Sequence, residues 1–339
     1  MLGRVSKQLL TLLQLTRMAL VFTALSNAFA ALALRSLATG ESVWPNVNLI
    51  VATVAVAVGL YGYGMALNDI MDRRRDRHLA HGRPLPSGRI GVGGASVVAG
   101  LMLAVALAGG WVYVEQAAPG DVFGVTSLLL VVITAGFITA YDILGKYLVW
   151  AGLLLLGLIR FFHATVPAPQ LPVVWHPLWL LNHVAIVSAV AYRWEAKRPP
   201  LTKQQGLWIG LTLVAMNVML VATIFFRRGL DFAGSLRLSW ALIPPIALSV
   251  AFAVLGTTIK KRANDRRAAG KALILYGLLW LVLYDAAFVI GYVSLWYGLA
   301  LLAFWPVSYG AVRAMRVWAS MTDLARRPVY VRADEPSRF

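Results

Sequence analysis

The stretch from Asn68 to Arg89, NDIMDRRRDRHLAHGRPLPSGR, closes an apolar run of membrane length that begins at Val47. Asn68, Asp72 and Asp76 stand four residues apart. In a helix each such step turns the direction by only about 40°, so these oxygen-bearing side chains are expected on one face, with Asp69 beside them. Carboxylates at the C-terminal end of a helix oppose the negative end of its dipole and require positive charge nearby. A hard divalent cation that carries a diphosphate meets that need. The plain alternative is a solvated helix end whose acids pair loosely with Arg73, Arg74, Arg75 and Arg77, and such surface pairs contribute little. Topology accounts for the arginines but gives no reason for the acidic residues among them. The loop that follows, His81 to Arg89, is stiffened by Pro84 and Pro86 and freed by Gly82 and Gly88. It is expected to fold over the site and offer Arg83 to phosphate oxygens.

The rest of the chain is that of a membrane protein. Of its 339 residues 60% are hydrophobic and 13% charged, with a net charge of +17. A soluble protein this apolar could not cover its surface. Cysteine is absent, which excludes disulfides, thiolate metal sites and cysteine nucleophiles. The basic residues sit in short loops between apolar runs, as the positive-inside rule requires, and no aromatic interleaving points to nucleic acid. Residues 1–17, with Arg4, Lys7 and Arg17, read as a basic flank rather than a cleavable leader.

Apolar runs able to cross about 30 Å of hydrocarbon lie near 18–35, 47–70, 93–115, 122–143, 147–166, 173–194, 206–226, 238–258, 270–291 and 295–313. Only Gly291 to Gly298 separates the last two, so the expected architecture is an all-α polytopic bundle of nine or ten spans. Basic residues at 4–17, 73–89, 146, 193–203, 260–271 and beyond Arg313 fall after every second span if there are ten. Both termini are then cytoplasmic, although Arg227, Arg228 and Arg237 lie on the other side. Continuous apolar runs exclude strands, and a helix satisfies its own backbone. Pro244 and Pro245 are expected to kink the eighth span. Trp44, Trp111, Tyr113, Trp175, Trp296 and Tyr297 suit an interfacial belt. One domain is expected over 1–320, with a polar, flexible cytoplasmic tail over 321–339.

Polar groups inside the spans form a second constellation. Arg160 and His163 fall in the fifth span, His183 in the sixth and Asp285 in the ninth. Arg160 and Asp285 each lie about 20 Å from the cytoplasmic ends at ~1.5 Å per residue, where a charge needs a partner. A mutual Arg160–Asp285 pair is expected, either as a tie between helices or, with His163, as the floor of a cavity that orients a polar acceptor. Asn27, Asn182 and Asn217 are read first as interhelical hydrogen-bonding groups, with Asn27 also a cavity candidate.

The motif NDxxDxxxD at the end of the second span, followed by RPLPSGRI, resembles the first aspartate-rich motif of the UbiA superfamily of intramembrane prenyltransferases. Tyr141-Asp-Ile-Leu-Gly-Lys146, after the fourth span, resembles the family's tyrosine and lysine. The resemblance implies a helical bundle around a central cavity in a multi-pass protein, expected in the bacterial inner membrane with its active-site loops on the cytoplasmic side. It implies an isoprenoid diphosphate, Mg²⁺ as cofactor, a lipophilic acceptor that is often aromatic, and surrounding membrane lipids. Carried over residue by residue, Asn68, Asp72 and Asp76 would hold Mg²⁺, Arg83 and Lys146 would help at the diphosphate, and Tyr141 would line the same mouth.

The family's second aspartate-rich motif is reduced. At its place the chain reads Ala191-Tyr-Arg-Trp-Glu-Ala-Lys-Arg-Pro-Pro200, where Glu195 is the lone acid. Together with Gly157-Leu-Ile-Arg160, this resembles a UbiA-like subgroup with a degenerate second motif. Two readings follow. Either Arg193, Lys197 and Arg198 replace a second metal at the diphosphate beside Glu195, or the site has lost ionisation chemistry and binds or transports an isoprenoid without turnover. A transporter coupled through Arg160 and Asp285 is a third class, and it leaves the NDxxDxxxD face unexplained.

Overall fold

The structure, a computed structural model, describes the whole chain except residues 1, 43, 45, 80–82, 119, 146, 198, 230–231 and 325–339. The expectations for His81, Gly82, Lys146 and Arg198 lie outside the described residues. Helices account for almost all of the rest: α1 (Leu2–Leu15), α2 (Val21–Thr39), α3 (Val47–Leu79), α4 (Val92–Glu115), α5 (Val122–Ala140), α6 (Val149–Thr165), α7 (Trp175–Trp194), α8 (Lys203–Arg228), α9 (Phe232–Ser235), α10 (Ile243–Arg262), α11 (Arg266–Tyr292), α12 (Leu295–Leu302) and α13 (Phe304–Leu324). No strand occurs among the described residues.

Among the described residues eight segments are long and apolar enough to cross a membrane: Met18–Thr39, Val47–Asp76, Val92–Glu115, Val122–Gly145, Lys203–Arg228, Trp240–Arg262, Arg266–Tyr292 and Leu295–Met315. The shorter apolar α6 and the more polar α7 pack among them, so every expected apolar run falls on a helix. The protein is a polytopic helical membrane protein. α1 was not foreseen: it is amphipathic, with Leu10 and Leu15 buried while Leu9 and Leu12 remain exposed.

Two sequence expectations are corrected. Pro244 and Pro245 occupy the first turn of α10, where the missing N–H is not needed, so they start the helix and do not kink it. Tyr113 is no belt residue, because its hydroxyl pairs with Thr53 Oγ1 at 2.6 Å in the buried seam between α3 and α4. The helix α13 ends at Leu324, and the rest of the expected tail lies outside the described residues.

Neighbouring helices close on themselves in the order α2, α3, α4, α5, α6, α7, α11 and back to α2. Glycine allows the closest approaches. A Cβ on Gly59 of α3 would come within 2.6 Å of the Ala106 nitrogen, and one on Gly157 of α6 within 2.7 Å of the Leu181 oxygen. α8 and α10 stand outside this ring with long apolar faces turned outward. Between α5 and α6 the chain makes a π turn, Tyr141–Gly145, that brings the Gly145 backbone against Gly152 and points Asp142 inward.

Gly59→Val is expected to cost about 1–3 kcal/mol by overpacking the α3–α4 seam. Gly100→Val, whose Cβ would meet nothing within 4 Å, is expected to be silent. Thermal melting of the solubilised protein would separate the two.

Candidate functional site

The polar end of α3 packs against the turn after α5. Here the four-residue spacing of the motif has a consequence that a single-face reading misses. Two steps of helix drift leave Asp76 about 80° from Asn68 but only about 20° from Asp69. The motif therefore divides into two faces.

On one face Asp69 and Asp76 are both buried. Arg17 Nη2 donates to Asp69 Oδ1 at 2.9 Å, Arg83 Nη1 lies 3.6 Å from the same oxygen, and Arg83 Nη1 donates to Asp76 Oδ2. Arg17, in the turn between α1 and α2, adopts a left-handed conformation (φ 48°, ψ 39°), which costs an L-residue roughly 1–2 kcal/mol, and its side chain reaches Asp69. Arg83 is held by a compact turn, with Ser87 N donating to Arg83 O at 3.0 Å and Arg89 N to Pro84 O at 3.0 Å. Gly88 sits there at φ +69°, where a side chain would be strained. Arg89 Nη1 donates to Gln14 Oε1 at 2.6 Å and fastens the turn to α1.

On the other face Asn68 joins two carboxylates. With its amide nitrogen toward them it donates to Asp142 Oδ1 at 3.2 Å and to Asp72 Oδ2 at 3.3 Å. The end of α3 and the turn after α5 thus share one polar mouth.

The other residues expected at this mouth are placed differently. Arg193 points at α8, where its Nη2 would lie 3.0 Å from a Cβ on Gly206. Successive turns put Asn182, Ile186, Ala189 and Arg193 on the same α8-facing side of α7. Glu195 pairs with Lys197 at 3.1 Å and packs its stem against Gly270 of α11. Lys197 lies 5.8 Å from the centroid of the Tyr192 ring. Among the described residues no three His, Cys, Asp or Glu side chains are grouped to hold a metal by themselves.

Deeper in the bundle the expected Arg160–Asp285 pair is not direct. Asp285 has no exposure and accepts from Ser26 Oγ at 2.7 Å and Asn27 Nδ2 at 2.7 Å, and it pairs with His176 Nε2 at 2.8 Å. Arg160 Nη1 donates to Asn27 Oδ1 at 3.0 Å, so the asparagine amide carries the interaction between the two charges. His163 is buried, and neither ring nitrogen has a hydrogen-bond partner among the described residues. Asn182 and Asn217 form a reciprocal amide pair at 2.9 and 3.0 Å, as interhelical glue. His183 bonds the Gly277 carbonyl at 3.0 Å.

Sequence reasoning did not single out Arg17, Asp142, Ser26 or His176. Asp142 stands beside Tyr141 in a segment already marked, and its inward direction depends on the π turn. His176 lies 109 positions from Asp285, and no spacing rule connects them.

The geometry can be set beside known proteins. Residues 24–179 match the UbiA prenyltransferase family. The fold resembles a solved structure described as a digeranylgeranylglyceryl phosphate synthase in membranes, at 18% identity and a TM-score of 0.56, over 84% of this chain and 98% of that one. No curated protein matches.

Removing the Asp285 carboxylate by Asp285→Ala would leave Arg160 uncompensated in an apolar interior and is expected to destabilise by about 3 kcal/mol or more. His176→Phe removes one hydrogen bond and is expected to cost about 1 kcal/mol. Unfolding in mixed micelles would rank them.

Proposed function

We propose that this UbiA-like chain transfers a prenyl group from an isoprenoid diphosphate to a lipophilic acceptor, aromatic or otherwise, at the polar mouth of its bundle. The observation that carries this reading is the oxygen cluster of Asn68, Asp72 and Asp142 with Arg17 and Arg83 beside it, set at the end of an apolar helical ring.

The donor set suits Mg²⁺, the cofactor the family generally uses. Mg²⁺ is commonly held by one or two carboxylates, with phosphate oxygens and water completing its shell. Asp72, Asp142 and the amide oxygen of Asn68, presented by turning the amide over, would supply the protein's share. The bound ion would neutralise charge on the departing diphosphate. Arg17 and Arg83 both lie within reach of Asp69, and each guanidinium would offer its remaining N–H donors to phosphate oxygens while Asp69 and Asp76 hold it in place. Lys146 is proposed as a further cation at the diphosphate, and Tyr141 as a wall of the mouth.

In the reaction the allylic C1–O bond breaks and its electron pair leaves with the diphosphate. The acceptor's nucleophilic atom then bonds to C1, and its proton is released. An interior that excludes water favours transfer over hydrolysis. Arg160, fixed by Asn27 and thereby by Asp285, is the proposed anchor for the acceptor's polar group. His163, whose two ring nitrogens have no partner among the described residues, is proposed as its hydrogen-bonding partner. The cytoplasmic side of the bacterial inner membrane is the proposed location of the mouth.

One observation favours a second reading. Glu195 is turned to Lys197 and α11, so α7 contributes no shown carboxylate to the mouth. A protein that holds an isoprenoid diphosphate without breaking it would fit that arrangement.

Purified protein given labelled prenyl diphosphates with and without Mg²⁺ would decide. Metal-dependent diphosphate release is expected, lost by about 10²-fold or more in Asp72→Ala and in Asp142→Ala. Arg83→Ala is expected to lose about 10–100-fold, with Arg83→Lys recovering part. Saturable binding with no release under any acceptor would establish the carrier instead.

A further inference from the structure

Outside the closed ring, α8 rests mainly on α6 and leaves a gap against α7. The gap is a groove of about 540 Å³, within the size of small-molecule sites. Its walls are Ile186, Ala189 and Val190 of α7 and Ile209, Leu213 and Val214 of α8. Gly210 keeps it open, because a Cβ there would meet nothing within 4 Å. The groove has polar groups at two places. Asn182 and Asn217 close the deep end with their reciprocal amide pair, which leaves their amides occupied. Arg193 stands at the other end, near the level of the polar mouth.

Arg193 differs from the other arginines of the mouth. Arg17 and Arg83 are bonded to carboxylates, whereas the Arg193 side chain makes no hydrogen bond or ion pair to a described residue. The nearest acid on its own helix end, Glu195, is engaged by Lys197. Lys203, in the first turn of α8, adds an exposed positive charge on the facing helix. The groove therefore combines an apolar slot with uncompensated positive charge at one end.

Its length identifies the occupant. From Asn182 to Arg193 the α7 axis rises about 16 Å at ~1.5 Å per residue, close to half of a ~30 Å hydrocarbon core. The slot is one leaflet deep and lies on the outer surface of the bundle, where Ile186, Val214 and Val218 are exposed. We propose that the α7–α8 groove is a binding site for one anionic phospholipid, whose acyl chain fills the slot and whose phosphate-bearing headgroup meets Arg193. This site is separate from the Asn68/Asp72/Asp142 mouth, and it does not depend on the reaction assigned there.

The test uses the full chain in mixed micelles with phosphatidylglycerol or phosphatidylcholine as probe, with retained lipid counted by native mass spectrometry. Wild type is expected to retain one phosphatidylglycerol, preferred over phosphatidylcholine by at least about tenfold. Arg193→Gln should erase that preference, and Gly210→Phe should block retention of either lipid. Val214→Trp narrows the same slot from an exposed position and replaces Gly210→Phe if that variant melts below wild type. Equal retention of the two lipids by wild type would overturn the proposal. So would unchanged retention in Arg193→Gln and the slot-filling variant. Displacement of the phosphatidylglycerol by an isoprenoid diphosphate at equal concentration would also overturn it and assign the groove to the substrate.

Discussion

A buried carboxylate must be matched by hydrogen bonds and charge, and that constraint organises the interior of this bundle. Asp285 on α11 is wholly enclosed, and its oxygens are taken by Ser26 and Asn27 of α2 and His176 of α7. Asn27 passes the interaction to Arg160 on α6. Four helices from the start, middle and end of the chain are thereby tied together. Apolar packing is a weak guide to which helix lies beside which in a membrane, because lipid is as apolar as a neighbouring helix. Polar groups that can be satisfied by one arrangement supply that information. The α2–α7–α11–α6 knot closes the ring opposite the α3–α4–α5 side, whose order is set by glycine contacts instead.

The places of the spans were legible because a spanning helix needs a long uninterrupted apolar run, and each such run in the sequence falls on helix, although the run 295–313 is divided between α12 and α13. The prolines at 244 and 245 show where this reading stops. An apolar run does not reveal where within it the first hydrogen-bonded turn begins, and that register decides whether proline breaks or starts a helix. α1 was missed for a related reason. A short amphipathic helix with few charges lacks the length signal that identifies the spans.

The candidate site was legible in its residues more than in its grouping. The i, i+4 rule correctly joined Asn68 to Asp72, but repeating it to Asp76 accumulates rotation and delivers Asp76 to Asp69's side. The two faces then acquire different partners. Asp69 and Asp76 are bonded to guanidinium groups, while Asp72 shares an amide with Asp142, a carboxylate from another helix. The same local arithmetic turns Arg193 from the mouth to α8. Partners such as Arg17 and His176 follow from tertiary packing and from one left-handed backbone residue, neither of which has a spacing signature.

The division into two faces bears on how such a mouth can accept a highly charged substrate. Arginines aimed at an empty, apolar-backed mouth would be poorly solvated on one side, and carboxylates gathered for a cation would repel one another. Pairing the arginines with Asp69 and Asp76 removes the first cost, and the Asn68 amide between Asp72 and Asp142 reduces the second. A diphosphate arriving with its counter-cation brings both signs of charge at once. On the proposed function it would take the guanidinium donors that Asp69 and Asp76 leave free while its cation takes the Asp72 and Asp142 oxygens, so the resident pairs are kept and no charge is left bare. A lone anion or a lone cation would satisfy only one face and leave the other as it was, so under the proposed function the two faces would favour the cation–diphosphate pair over either ion alone.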